Sequence, residues 1–354
     1  MKILVFNVGS SSVKYKVYRN NLKLLLEGKI DRLKNLDEFT RAFREVTQRV
    51  GELEIEKIGH RIVFGGPNLL TPTKINQQIF REIKKHAWVS PIHILPELEI
   101  LKLSLKKWSS LPQFAVFDSG FFANLPEPAQ IFPIPLKFFK KGIKRFGFHG
   151  LSHCWALEQA VAQLKSPTAK IISLHLGAGA SATAAIGTRP IETSMGLTPL
   201  GGLMMQTRPG DLDPGVILAL LRQEEMSISE LSQLLYKKSG ILGIAGFGDF
   251  RDLRRAAGIA EDGSENNSSF DEETKKRATL ALEMYVWQVR KIVGAYTVLL
   301  GGLDCLVFTG AIGYGSPAIR QLICENLQFL PSFKVLTVEP QEELVIAREI
   351  ASAK

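Results

Sequence analysis

KIISLHLGAGASATAAIGTRPIETSMGLTPLGGLMMQTRPGDLDP, residues 170–214, opens with an apolar β-rich run, Ile171 to Leu176, that stops at Gly177-Ala178-Gly179. Glycines placed directly after a strand let the backbone approach a bulky anion and turn its N–H groups toward it. A second β-like run, Ala180 to Ile186, puts those glycines in a hairpin. Further on, Thr207-Arg208-Pro209-Gly210-Asp211 sets an arginine in a Pro/Gly-rich loop, a setting suited to grasping phosphate or carboxylate. Taken singly, each feature also fits a glycine turn and a surface arginine.

The N-terminus repeats the pattern. Lys2-Ile3-Leu4-Val5-Phe6-Asn7-Val8-Gly9 matches Lys170-Ile171-Ile172-Ser173-Leu174-His175-Leu176-Gly177, with Lys, Ile and Gly recurring at the constant offset 170 − 2 = 168. Asn7 falls opposite His175. Two related strand–turn–strand units predict a duplicated fold with phosphates held between its halves. Met1 to Tyr18 reads as two strands around Gly9-Ser10-Ser11-Ser12, whose hydroxyls, with the Asn7 amide and Lys14 nearby, offer donors to phosphate or oxygens to Mg²⁺.

A chain of 354 residues predicts two domains. Its 45% hydrophobic and 22% charged content fits a folded globular protein and excludes a disordered one. The formal charge of +9 is spread in pairs such as Lys84-Lys85 and Arg254-Arg255, without a dense run. That favours a basic surface serving small anions over a nucleic-acid or membrane partner. Cys154, Cys305 and Cys324 are too sparse for a disulfide framework or a zinc site, which with the absence of a signal peptide predicts a cytoplasmic protein. The longest apolar stretch, Ile292 to Leu303, is too short to span a bilayer.

Between the two repeats, Asp37 to Val50 has helical spacing. Ile58 to Gly66 reads as a strand carrying Arg61, which is costly to bury unless an anion or carboxylate meets it. Val63 alternates with it as an apolar wall. Ser90 to Pro96 reads as a proline-bracketed turn, with a helix from Pro96 to Leu105. His93 taken alone is more readily a hydrogen-bonded structural histidine. Phe114 to Gly120 is a buried-type strand that puts Asp118 at its C-terminal end, where α/β sheets gather ligands; the same residue also suits a cap. Pro126 to Pro135 reads as a connection, and Cys154 to Leu164 as a helix. His149 and His153 have metal-ligand spacing but no third partner, so a histidine aimed at a ligand beside a helix start fits better.

Beyond residue 214, Pro214 to Arg222 and Ser227 to Tyr236 read as helices. Ser239 to Arg251 reads as a glycine-rich loop leading to Asp249-Phe250-Arg251, where a ring or guanidinium plane would stack on a base. Ala260 to Ser269 reads as a mobile loop, Asp271 to Tyr296 as a long helix, and Lys334 to Val338 as a strand. Leu306 to Gly315 repeats the strand-then-glycines device, and Gln341 to Arg348 closes as a helix.

Together the blocks NVGSSSVKYKVY, GHRIVFGG, RFGFHGLSH, SLHLGAGAS, ETSMGLTPLGGLMMQTRPGDLDP, GILGIAG, FTGAIG and EELVIAR resemble, in order and across nearly the whole chain, the signature blocks of acetate kinases. The resemblance implies an α/β fold of duplicated actin-like ATPase (ribonuclease H-like) domains with the active site in the cleft between them. It divides the chain into 1–147 completed by 341–354, and 148–340. It implies reversible, Mg²⁺-dependent, in-line phosphoryl transfer from ATP to acetate, giving acetyl phosphate and ADP, with Mn²⁺ able to stand in for Mg²⁺. A propionate or butyrate kinase, or a nucleotide-binding regulator, are the alternatives. By matching motif, Asp118, His149, Arg208 and Arg61 take the catalytic positions. Arg61, Val63, Ile92, His93, Phe148 and Pro199 take those around the carboxylate substrate. Ser12, Lys14, His175, Leu176, Gly177, Ala178, Gly179, Asp249, Phe250, Arg251, Ala311, Ile312, Gly313, Tyr314 and Gly315 take those around the nucleotide. Asn7 and Glu342 take the metal positions. The resemblance also implies a homodimer. Ala178, Phe122, Phe64 and Tyr314-Gly315 depart from the family pattern, mostly near the nucleotide. A carboxylate substrate is already ionised at neutral pH and needs no general base, so Asp118 is expected to orient an arginine or an Mg²⁺-bound water.

Overall fold

Residues 1–51, 53–259, 261 and 270–353 are described by a computed structural model. They contain eleven strands: β1 Lys2–Val8, β2 Val13–Arg19, β3 Leu24–Ile30, β4 Lys57–Ile62, β5 Thr73–Lys74, β6 Gln113–Phe117, β7 Lys170–Leu176, β8 Ala180–Ile186, β9 Arg189–Thr193, β10 Cys305–Thr309 and β11 Lys334–Thr337. The predicted loop from Ala260 to Ser269 lies outside the described residues, Glu261 apart.

The chain divides into two compact units. The first comprises Met1–Asn124, Phe148–Leu151 and Gln341–Lys354; the second comprises Leu125–Gly147 and Ser152–Pro340. The boundary differs from a cut at residue 147: residues 125–147 group with the second unit. Arg145 is one tie. Its Nε donates to the Ala129 carbonyl at 2.9 Å, its Nη1 donates to the Thr193 carbonyl at 3.1 Å, and its Nε lies 3.4 Å from Glu192.

Each unit is built on one sheet, and the two sheets share a plan. The first runs β3-β2-β1-β4-β6-β5, the second β9-β8-β7-β10-β11. In both, a three-stranded antiparallel meander is followed by two strands parallel to the first. The repeat at offset 168 is thus a repeat of topology, and it bears out the duplicated actin-like ATPase fold. Lys2 pairs with Arg19 in the first hairpin, and Lys170 with Ile186 in the second. Central strands buried on both faces need apolar side chains throughout. Ile3, Leu4, Val5 and Phe6 are fully buried in β1, as are Ile171, Ile172 and Leu174 in β7.

Helices cover the sheets. In the first unit, helix Leu36–Val50 buries Phe39, Phe43 and Val46, and its N-cap Asn35 accepts from the Glu38 N–H. The closing helix Glu342–Ala351 packs so tightly on β4 that a Cβ at Gly59 would strike Ile346 and Ile350. In the second unit, helix Glu272–Leu300, N-capped by Asp271, buries Ala278, Ala281, Tyr285, Val289 and Val293.

Five elements differ from the sequence reading. The proline-bracketed turn at 90–96 is instead the start of a helix, Pro91–Lys107, with Pro96 inside it. Pro91 occupies the first helical position, where no N–H is needed, and burial of Pro96, Leu98, Ile100 and Leu101 outweighs the bond lost at Pro96. The glycines after β10 form a short helix, Gly310–Gly315, and not a hairpin loop like those after β1 and β7. A crossover to parallel β11 follows β10, where a hairpin cannot serve. The region 239–251 contains the helix Gly240–Ala245, and the connection at 126–135 holds one short turn, Glu127–Gln130. The helix expected from Cys154 starts earlier, at Gly150.

Candidate active site

In the first unit, Asn7, Arg61 and Asp118 meet where β1, β4 and β6 end. The parallel register makes this inevitable, because Arg61 lies beside Val116 and the chain turns at Asp118 one residue beyond β6. Arg61 Nη2 donates to Asp118 Oδ2 at 2.6 Å, its Nε donates to Oδ1 and Oδ2 at 3.3 and 3.2 Å, and its Nη1 donates to Asn7 Oδ1 at 2.9 Å. Asp118 is fully buried and Asn7 nearly so. Burial opposes the charge on Arg61, but Asp118, Glu342 and Glu97 outweigh it and hold the guanidinium pKa above its ordinary value. The strand arginine is therefore met by a carboxylate of the protein itself, and Asp118 fixes the direction of its fork.

Asp118 is also gripped from the other side. The Leu151 N–H approaches its Oδ1 at 3.5 Å, and a Cβ at Gly150 would overlap its carbonyl. Just before this contact, His149 holds a left-handed backbone at φ 57°. A residue with a Cβ adopts that conformation at a cost of about 1–2 kcal/mol, and such strain collects at working sites. Phe148 is fully buried, with Phe64 6.3 Å away ring to ring, and Val63 is buried too. Ile92 is half-buried, and His93 shares a 2.8 Å hydrogen bond with Ser90 through Nδ1.

Asn7 and Glu342 are the residues expected at the metal positions. Both are hard oxygen donors, buried at the end of β1 and the start of the closing helix. Asn7 Nδ2 donates to Glu343 Oε1 at 2.6 Å, which orients the amide, and Lys16 lies 3.6 Å from Glu343. No cluster of three His, Cys, Asp or Glu among the described residues would hold a metal unaided. Mg²⁺ characteristically takes one or two protein oxygens and completes its shell with water and phosphate, so this sparse donor set fits it. Ser12 and Lys14 flank the adjoining turn, closed by the Gly9 N–H on the Ser12 carbonyl at 2.8 Å. Sequence reasoning missed Glu343 and Glu97. Glu343 sits in the closing helix where acids read as dipole partners, and Glu97 follows two prolines, Pro91 and Pro96, that read as a turn.

The second unit carries Arg208, Pro199 and the remaining residues expected around the nucleotide. Arg208 is 4% exposed, and its Nη1 donates to the Pro199 carbonyl at 2.8 Å. Among the described residues no carboxylate pairs with it. Burial lowers its pKa to about 10, with Tyr236 pulling slightly the other way. A guanidinium desolvated without a counter-ion is poised for an anion. His175, next to last in β7, shares a 2.8 Å hydrogen bond with Ser152. His153 is fully buried between the Ser173 and Ser181 hydroxyls at 3.0 and 2.8 Å, and burial, reinforced by His175, keeps it neutral. It is a structural histidine.

After Leu176, the Gly177 N–H donates to the Gly179 carbonyl at 2.8 Å, leaving Ala178 exposed at the tip of the turn. Gly310, at φ 79°, lies against the Leu176 carbonyl where no Cβ fits. This brings the helix holding Ala311, Ile312, Gly313, Tyr314 and Gly315 beside that turn, with Tyr314 half-exposed. Asp249 caps helix Phe250–Ala256 and binds the exposed Arg251, Nη2 to Oδ2 at 2.6 Å. The Phe250 ring is nearly buried and packs edge-on against Tyr285 at 5.3 Å, while Arg251 beside it is exposed.

Known proteins resemble this chain in sequence and fold. The model of the Acetokinase family matches residues 31–347. The acetate kinase of Dictyoglomus thermophilum is 36% identical, the alignment covering 99% of this chain and 92% of that one. A propionate kinase structure from Francisella tularensis superposes with a TM-score of 0.84 at 30% identity, over 98% of each chain. An acetate kinase structure from Porphyromonas gingivalis gives 0.82 at 30% identity, again over 98% of each. By its own residues and by these likenesses, the chain belongs to the acetokinase family.

Proposed function

We propose that the protein is an acetate kinase: an ATP- and Mg²⁺-dependent enzyme that transfers the γ-phosphoryl group to the carboxylate of acetate, reversibly, giving acetyl phosphate and ADP. A carboxylate oxygen forms the new bond to phosphorus as the bond to the β,γ-bridging oxygen breaks, and the electron pair leaves with ADP. The observation that carries this reading is the contrast between Arg61, aimed by Asp118, and Arg208, buried without an acid. The first is suited to receiving a carboxylate in a fixed orientation. The second is suited to the charge on a transferring phosphoryl group, where an aimed donor is worth roughly 3–4 kcal/mol. His149 adds a further donor. Asn7 and Glu342 would hold Mg²⁺, which neutralises phosphate charge when bound. Asp118 orients Arg61 and transfers no proton; an Asp118→Asn enzyme that lost one titrating group from its pH profile and nothing else would contradict this.

Val63, Ile92, Phe148 and Pro199 would enclose the methyl group. Since one methylene is worth only about 1–3 kcal/mol, propionate is the second reading, favoured by the Francisella neighbour's name. Trapping acyl phosphates with hydroxylamine from acetate, propionate and butyrate tests both. The highest kcat/KM is expected for acetate. ATP-binding protein that yields no hydroxamate from any of the three would identify a regulator instead. A homodimer accords with the apolar stripe Leu280, Met284 and Trp287, which lie 50%, 36% and 68% exposed on helix Glu272–Leu300. A cytoplasmic location accords with three free cysteines and with the lack, among the described residues, of a helix long and apolar enough to cross a membrane.

A further inference from the structure

Glu97 is a buried acid with a structural partner and a charged neighbourhood. It sits on helix Pro91–Lys107 and is 2% exposed, a rare place for a carboxyl group. The ladder of β4 ends at Ile62, paired with Phe117, so the buried Val63 N–H has no strand to bond. Glu97 supplies the acceptor, its Oε1 and Oε2 lying 3.3 and 3.2 Å from that nitrogen. A buried N–H without an acceptor would be costly, which ties the end of β4 to this side chain.

We propose that Glu97 is a positioning residue for carboxylate recognition: it fixes the strand end that carries Arg61 and Val63, and when ionised it competes with the substrate for the Arg61 charge. This rests on Arg61 as the carboxylate-binding arginine. The charges that face Glu97 are Arg61 on β4 and Asp118 beyond β6; His93 stands one turn before it on its own helix. Helices Leu36–Val50 and Gln77–Lys85 bring none that acts on it among the described residues. Burial raises its pKa to about 8, against the pull of Arg61 and the Val63 N–H and with a push from Asp118. Glu97 is thus largely a neutral acid near neutral pH and ionises above it. Arg61 then faces two protein carboxylates, and a third, from substrate, binds less well. Acetate itself stays ionised throughout this range.

The test is the pH dependence of acetate KM and kcat in the wild-type protein and in Glu97→Gln, which keeps an acceptor for Val63 but cannot ionise. Wild-type KM is expected to rise about tenfold from about pH 7 to about pH 9, with kcat little changed, while the Gln variant stays flat. Unfolding gives a second readout. Folded Glu97 keeps a proton that the unfolded chain loses near about pH 4, so wild-type stability falls as pH rises from there to about 8, and Glu97→Gln lacks that fall. An equal KM rise in the Gln variant overturns the proposal, including when the unfolding slope has vanished, because Glu97 would then be structural alone. If the wild-type protein fails to phosphorylate acetate at any pH, the kinase reading fails separately. The acetate-induced rise in melting temperature of the two proteins at both pH values still decides this one: the same shift in both sinks it.

Discussion

Arg61 and Arg208 are both guanidinium groups withdrawn from water, yet their surroundings are opposites. Arg61 is caged by Asp118 and Asn7 and surrounded by further acids, so its charge is settled before any ligand arrives. Among the described residues Arg208 bonds the Pro199 carbonyl and pairs with no carboxylate, and burial lowers its pKa to about 10. A paired arginine is held in place; an unpaired one is held in want. Each unit thus holds a buried arginine, paired with a carboxylate in the first and, among the described residues, without one in the second.

The largest expected effect follows from that want. Arg208→Ala should reduce kcat by roughly 10²–10³-fold while leaving ATP affinity within a few-fold, as measured by steady-state kinetics beside nucleotide titration. An equal loss in ATP affinity would instead make Arg208 a ground-state nucleotide contact. Stability should divide the two arginines the other way. Arg61→Met strands a buried Asp118 and should cost about 3–5 kcal/mol, whereas Arg208→Met removes an uncompensated charge and should be neutral or stabilising. Chemical denaturation of both variants checks this, and equal losses would erase the distinction.

A structural histidine near the Arg61 cluster gives a control that depends on pH. His60 is buried against Phe6 and bonded to Gln113 at 2.9 Å, and burial lowers its pKa to about 4, the Gln113 bond opposing. Its folded pKa lies below the unfolded one. The stability it contributes is therefore present above about pH 6.5 and lost as pH falls toward 4, by up to roughly 3 kcal/mol. His60→Gln should flatten that acid limb of the unfolding curve without altering acetate KM at neutral pH. The smallest effect concerns the exposed pair Arg251–Asp249: Arg251→Ala should leave stability within about 1 kcal/mol but raise the KM for ATP several-fold. No change in that KM would remove Arg251 from the nucleotide residues.

The sequence was legible where local chemistry and tertiary structure agree. The hairpins β1–β2 and β7–β8 announce themselves through apolar runs ending in glycine, and the offset of 168 exposes the duplication before any coordinate is known. Arg61 and Asp118 stand out because a charge at a strand end demands a reason, and each proves to be the other's. What stayed hidden was decided by burial. Pro91 and Pro96 read as breakers, yet the helix through them is held by the core it covers. The glycines after β10 read as a loop because the same residues make loops after β1 and β7; only the crossover to β11 makes them helical. The packing of Phe250 against Tyr285, 35 residues later (285 − 250 = 35), has no local signal in the sequence. Glu343 and Glu97 carry no motif, since their partners lie 336 and 34 residues away in the chain.

The most direct test of the two-arginine account is acyl-hydroxamate formation from acetate, ATP, Mg²⁺ and hydroxylamine by the wild-type protein and by Arg208→Ala, with ATP binding measured on the same samples. The account predicts abundant product from the wild type and a loss of at least about 100-fold in the variant, with both binding ATP. Wild-type protein that binds ATP and makes no product, or a variant as active as the wild type, would contradict it.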